Sequence, residues 1–148
     1  FIEPLQMDRD KKVKMKLSIL KNLIKNKRVG VVDDSIVRGT TSKQIVKMLF
    51  EAGAKEVHFL VGSAPVRFPD FYGIDTPRQE NLISAQKTIE ETRKYLGATS
   101  LSFLSIDGIV KATGLPKKRF SLSAFDGEYP LPIFEHEKEI SYKYNICE

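Results

Sequence analysis

Residues 29–46 read VGVVDDSIVRGTTSKQIV. Together with Arg28, the run Val29, Gly30, Val31, Val32 is short, rich in β-branched residues and without alternation, which predicts a strand buried on both faces of a parallel sheet. Asp33 and Asp34 close that run, and a loop of small, hydroxyl and cationic residues follows. Ile45, Val46, Met48 and Leu49 then recur at helical spacing, predicting a helix entered near residues 40–42 and stopped by Gly53. A second apolar run, VHFLVGSA at 57–64, completes a strand, loop, helix, turn and strand. Parallel strands need such a crossover, and its hand should be right. The fold class is therefore α/β.

In an open parallel sheet, ligands bind beyond the carboxyl ends of the strands, where Asp33 and Asp34 stand. The following loop carries Gly39, which permits a close backbone turn, and the hydroxyls of Ser35, Thr40 and Thr41. Opening into a helix N-terminus, it offers backbone N–H groups and a positive dipole end to an anion such as a monophosphate. The acids cannot serve that phosphate, since they repel it. They suit ligand hydroxyls needing acceptors, or a Mg²⁺ that prefers carboxylate oxygen and water. A sugar with a phosphate at one end and vicinal hydroxyls satisfies both halves. The competing structural reading is that paired acids merely end a strand or cap a helix. Neither GxxxxGK[ST] nor GxGxxG occurs, so two other phosphate motifs are excluded. His58 and His136 lack metal-ligand spacing and are expected to be structural or surface residues.

The 148 residues, 41% hydrophobic and 29% charged, suit one soluble domain. No apolar run approaches the roughly 18 residues of a membrane span, and the opening lacks signal-peptide order, so a cytoplasmic location is expected. Cys147 is the single cysteine, a tail residue, which excludes an internal disulfide or CxxC site. Charge is uneven. Residues 1–28 hold nine Lys or Arg against three acids, a balance of +6, while the whole chain is +5. Such a segment attracts polyanions or is simply a solvated helix face. Within it Val13, Leu17, Leu20, Leu23 and Ile24 predict an amphipathic helix over 13–24. Farther on the pattern predicts a loop at 65–77, a helix over 79–93, an extended segment at 101–106, a short helix at 107–113 and an irregular end from 120.

VVDDSIVRGTT resembles the ribose-phosphate signature of the phosphoribosyltransferases. With EAGAKEV, RFPDFYGIDTP, FDGEYP and the opening FIEPLQMDRD and VKMKL, the chain resembles the glutamine phosphoribosylpyrophosphate amidotransferase family from residue 1 to about 130. The resemblance implies part of a type I phosphoribosyltransferase fold, a parallel sheet with flanking helices plus an irregular C-terminal tail. It implies a flexible basic loop and helix at 1–28, a core with the phosphoribosyl pyrophosphate (PRPP) motif at 29–116 and a C-terminal extension at 117–148. The family's glutaminase domain and the start of its transferase domain are expected upstream of Phe1.

By the same resemblance, Asp33 and Asp34 bind the ribose hydroxyls and Mg²⁺. Ser35, Ile36, Val37, Arg38, Gly39, Thr40 and Thr41 hold the 5-phosphate, largely through backbone amides. Lys16, and second to it Arg9, contact the departing pyrophosphate, to which the basic lead independently lends charge. Ile2 and Leu82 correspond to walls of the family's ammonia passage, although core packing is the commoner role of such residues. Some members carry an iron–sulfur cluster, but its cysteine positions here are Asp70, Ser121 and Ala124, so no cluster is expected. The implied reaction is PRPP, glutamine and water to 5-phosphoribosylamine, glutamate and pyrophosphate, the first step of purine synthesis. Feedback inhibition by purine nucleotides and a homo-oligomer are implied as well.

The alternative is a non-catalytic PRPP sensor that uses the basic segment on nucleic acid. Binding to a duplex calls for spread cations, whereas these are concentrated beside an anion site, which favours the enzyme without nucleic acid. Transfer to a purine or pyrimidine base is disfavoured by RGTT and the downstream matches.

Overall fold

The computed structural model describes residues 20–73, 76 and 78–133. In chain order the elements are α1 (Lys21–Ile24), β1 (Arg28–Asp33), α2 (Thr40–Glu51), β2 (Glu56–Val61), a 3₁₀ turn (Gln79–Asn81), α3 (Ile83–Gln86), α4 (Ile89–Leu96), β3 (Ser100–Phe103), α5 (Ile106–Thr113), a second 3₁₀ turn (Lys117–Arg119) and α6 (Ser123–Asp126). The sheet has the order β1-β2-β3 and every pair is parallel. Asp33 is in register with Val61, so the acid pair sits at the carboxyl edge of the sheet.

Successive strand residues point to opposite faces. Val29, Val31, Val57, Phe59, Val61, Leu101 and Phe103 share one face and form the main core with Val46 and Leu49 of α2 and Leu96 of α4. Val57 and Phe59 are fully buried. On the opposite face Val32 is 78% exposed and Leu60 45%. The expectation that β1 is buried on both faces is therefore corrected: α2 and α4 cover one face, and among the described residues nothing covers the other. The polar residues of that open face form a ladder. Arg28 Nε donates to Glu56 Oε2 at 2.7 Å, His58 Nε2 meets the same oxygen at 2.9 Å, and His58 Nδ1 meets Ser100 Oγ at 2.8 Å.

The helix expected over 79–93 is in fact three pieces. Leu82 is extended after the 3₁₀ turn, and Lys87 is extended after α3, which breaks the helical hydrogen bonding twice. Thr88 then caps α4: its Oγ1 accepts from Glu91 N–H, and the Glu91 side chain accepts from Thr88 N–H at 2.8 Å. The signal was the capping box T-x-x-E in the sequence. Of the helix expected over 13–24, only α1 falls among the described residues. Residues 120–133 are largely irregular but attached. Ala124 O accepts from Arg67 N–H at 2.9 Å and Phe68 N–H at 3.1 Å, and Tyr129 O–H donates to Pro69 O at 2.7 Å.

Candidate functional site

The two acids are presented by backbone geometry. At the end of β1, Asp33 Oδ1 accepts from Asp34 N–H at 3.1 Å, and Asp34 Oδ1 accepts from Ser35 N–H at 2.6 Å. Gly62, just beyond β2, donates its N–H to Asp33 O at 2.9 Å and thereby holds the two strand ends together at the turn. Sequence reading missed Gly62, because a contact from one strand end to the next leaves no local pattern.

Burial and the neighbouring acid act together on Asp33. Desolvation, with a smaller contribution from the charge of Asp34, raises its carboxyl above the ordinary value, while the Asp34 N–H bond opposes the shift. A cation or hydroxyl donor placed between the two carboxylates would relieve that cost. Among the described residues no group of three or more His, Cys, Asp or Glu could hold a metal ion by itself. A pair of carboxylates nevertheless fits Mg²⁺, which binds through one or two carboxylates and completes its shell with substrate oxygens and water.

The loop beyond the acids is anchored from below. Ile36 is 1% exposed and belongs to the main core, while Val37 packs on a second cluster of Val66, Leu82 and Ala85. Both side chains are thus anchors, and the fully buried Ile36 can offer a ligand only its backbone. Leu82, fully buried in that cluster, is a core residue. Val37 O accepts from Ile83 N–H at 2.9 Å, tying the loop to α3.

Gly39 is the N-cap of α2, with φ 76° and ψ −2°, a left-handed conformation that favours glycine. A Cβ there would meet Ile83 Cδ1 at 2.8 Å and Tyr95 Cε1 at 3.3 Å. Since no side chain caps α2, the amides of its first turn, at Thr40, Thr41 and Ser42, remain available to an external acceptor. Behind them Lys43 Nζ lies 4.2 Å from the centroid of the Tyr95 ring. The structure thus brings Asp33, Asp34, Ser35, Arg38, Gly39, Thr40 and Thr41 onto one strand-to-helix turn. Arg38 is exposed there. Arg9, Lys16, Ile2, His136 and Cys147 lie outside the described residues. His58 lies in the polar ladder of the open sheet face.

The parallel sheet, its flanking helices and the acid-pair turn make this part of a type I phosphoribosyltransferase fold. Solved structures and curated proteins narrow the class. The structure of glutamine PRPP amidotransferase from B. subtilis, complexed with ADP and GMP, matches with a TM-score of 0.77 and 47% identity over 91% of this chain and 30% of that one. The chain is 50% identical over 131 residues to amidophosphoribosyltransferase 1, chloroplastic, of Arabidopsis thaliana, covering 88% of this chain and 23% of that protein. To the amidophosphoribosyltransferase of Bacillus subtilis it is 48% identical, covering 91% of this chain and 29% of that protein. No protein-family model matches. The chain is homologous to one part of the amidophosphoribosyltransferases, and it spans between a quarter and a third of the length of most of these relatives.

Among the described residues no helix is long and apolar enough to cross a membrane.

Proposed function

We propose that this chain supplies the ribose-5-phosphate site of an amidophosphoribosyltransferase, which forms 5-phosphoribosylamine, glutamate and pyrophosphate from PRPP, glutamine and water. The observation that carries this reading is the union, on one turn, of an acid pair, Asp33 half-buried and Asp34 exposed, with a glycine-opened, uncapped helix N-terminus. The high identity to amidophosphoribosyltransferases supports it.

In this reading Asp33 and Asp34 accept hydrogen bonds from the ribose hydroxyls and fix the ring. The amides of residues 39–42, with the hydroxyls of Thr40 and Thr41, hold the 5-phosphate, and Ser35 and Arg38 line the same turn. Two anchored ends leave C1 of the sugar oriented, which converts binding energy into positioning. Lys16 and Arg9 would face the pyrophosphate as the C1–O bond breaks and the C1–N bond to ammonia forms. Mg²⁺, held by Asp33 and Asp34, would neutralise charge on the pyrophosphate. Purine nucleotides are the proposed feedback ligands and a homo-oligomer in the cytoplasm the proposed working form.

The test is calorimetric titration of the chain with ribose 5-phosphate and with PRPP, each with and without Mg²⁺. Binding that is lost in both Asp33→Asn and Gly39→Ala supports the site. Saturable binding indifferent to both substitutions would place the ligand elsewhere and overturn it.

A further inference from the structure

A second cavity stands behind the turn. Where the expected long helix is broken at residues 87 and 88, a cavity of about 210 Å³ opens between the loop after β2 and helices α3 and α4. It is lined by Arg67, Ser84, Lys87, Thr88, Glu90 and Thr92 with two apolar neighbours. Ser84 and Thr92 are 5% and 1% exposed, and neither hydroxyl makes a hydrogen bond among the described residues. Both residues are buried, yet their oxygens are not sealed from solvent, so each hydroxyl is left to meet an acceptor or water within the cavity.

The charges around the cavity favour an anion. Lys87 lines it beside Arg67, which has a partner of its own, and its one acid is engaged elsewhere: Glu90 Oε1 and Oε2 each accept from Arg93 at 2.7 Å, and Lys94 lies 3.8 Å from Oε1. Glu91, the other acid nearby, is occupied by the Thr88 cap. Size narrows the ligand. The cavity is below the range of roughly 300 to 1,000 Å³ that encloses drug-sized or cofactor ligands, and its volume suits a phosphate-sized group.

We propose that this cavity is a binding site for a small oxyanion of phosphate size, held by Lys87 and by the hydroxyls of Ser84 and Thr92. It is separate from the acid-pair turn. Its walls, however, are the two helices that flank Gly39 through Ile83 and Tyr95, so an anion there fastens α3 to α4 directly behind the loop.

The test is titration of the ¹⁵N-labelled chain with inorganic phosphate, followed by amide shifts. Two groups of responding amides are expected, one at Ser84, Lys87, Thr88 and Thr92 and another at Thr40 and Thr41. Lys87→Gln should weaken the first response about tenfold and leave the second unchanged. Ser84→Ala, a milder change, should weaken the first as well. Absence of shifts at 84–92, or shifts indifferent to both substitutions, overturns the cavity site. Failure of the Thr40 and Thr41 response alone counts against the proposed ribose-phosphate turn and leaves the cavity site standing.

Discussion

Ile83 stands so close to Gly39 that a methyl group on the glycine would lie 2.8 Å from Ile83 Cδ1. The same glycine has φ 76°. Two separate constraints therefore bear on one residue, one local and one from α3. Gly39→Ala should destabilise the fold by about 2 kcal/mol, the scale of a non-glycine residue held in the left-handed region plus a steric contact. Urea unfolding of the single variant, Ile83→Val and the double variant separates the causes. If trimming Ile83 restores part of the loss, the contact matters; a purely additive result would assign the whole cost to the backbone.

Asp33 links stability to function with opposite signs. Its raised carboxyl means that the folded state holds the proton more tightly than the unfolded state. The group accordingly favours the fold at pH below its ordinary value and penalises it as pH rises through the raised value. Asp33→Asn should leave the ligand-free chain at least as stable at pH 7 while lowering ribose 5-phosphate affinity about tenfold or more. Thermal melts at pH 7 and pH 3, set beside the titration, check both halves. A variant that is less stable at neutral pH would refute the idea that burial of this charge is a cost.

Thr88 explains the second of the two breaks in the helix expected over 79–93. Its side chain accepts from Glu91 N–H while Glu91 accepts from Thr88 N–H, so the new N-terminus is closed in both directions. Thr88→Ala should cost about 1 kcal/mol. The double variant with Glu91→Ala should cost less than the sum of the two singles, because each partner's bond depends on the other. Chemical denaturation of the four proteins measures the coupling.

The strand, acid-pair, loop and helix succession was legible because Val29, Val31, Val32 and the period of Ile45 to Leu49 are local signals. The site inherited that clarity, since Asp33 through Thr41 are contiguous. Three features lay beyond local pattern. The open face of β1 depends on which helices cover the sheet, and Val32 reads as apolar whether it is covered or not. The buttressing of Gly39 by Ile83 and Tyr95 joins residues more than forty positions apart. The break at Lys87 was signalled by the threonine and glutamate of the capping box, but the apolar period through 79–93 masked it.

Tyr129 fastens the segment around it to the loop after β2. Its O–H donates to Pro69 O at 2.7 Å, and its ring lies 5.5 Å from that of Phe71 and 6.3 Å from that of Tyr72. Burial, reinforced by the charge of Asp70, pushes the phenol well above the ordinary tyrosine value. The folded state thus keeps this proton at a pH where the unfolded state has lost it. Stability should fall as pH climbs above about 10, the value for a free tyrosine. Tyr129→Phe removes both the hydrogen bond and the titrating group. At pH 7 it should cost about 1 kcal/mol, the worth of one buried hydrogen bond. Above pH 10 the gap between variant and parent should narrow, because only the parent loses stability through this phenol. Urea midpoints at pH 7, 9 and 10.5 decide the matter, and a gap that stays constant across that range would show that Tyr129 does not couple this segment to pH.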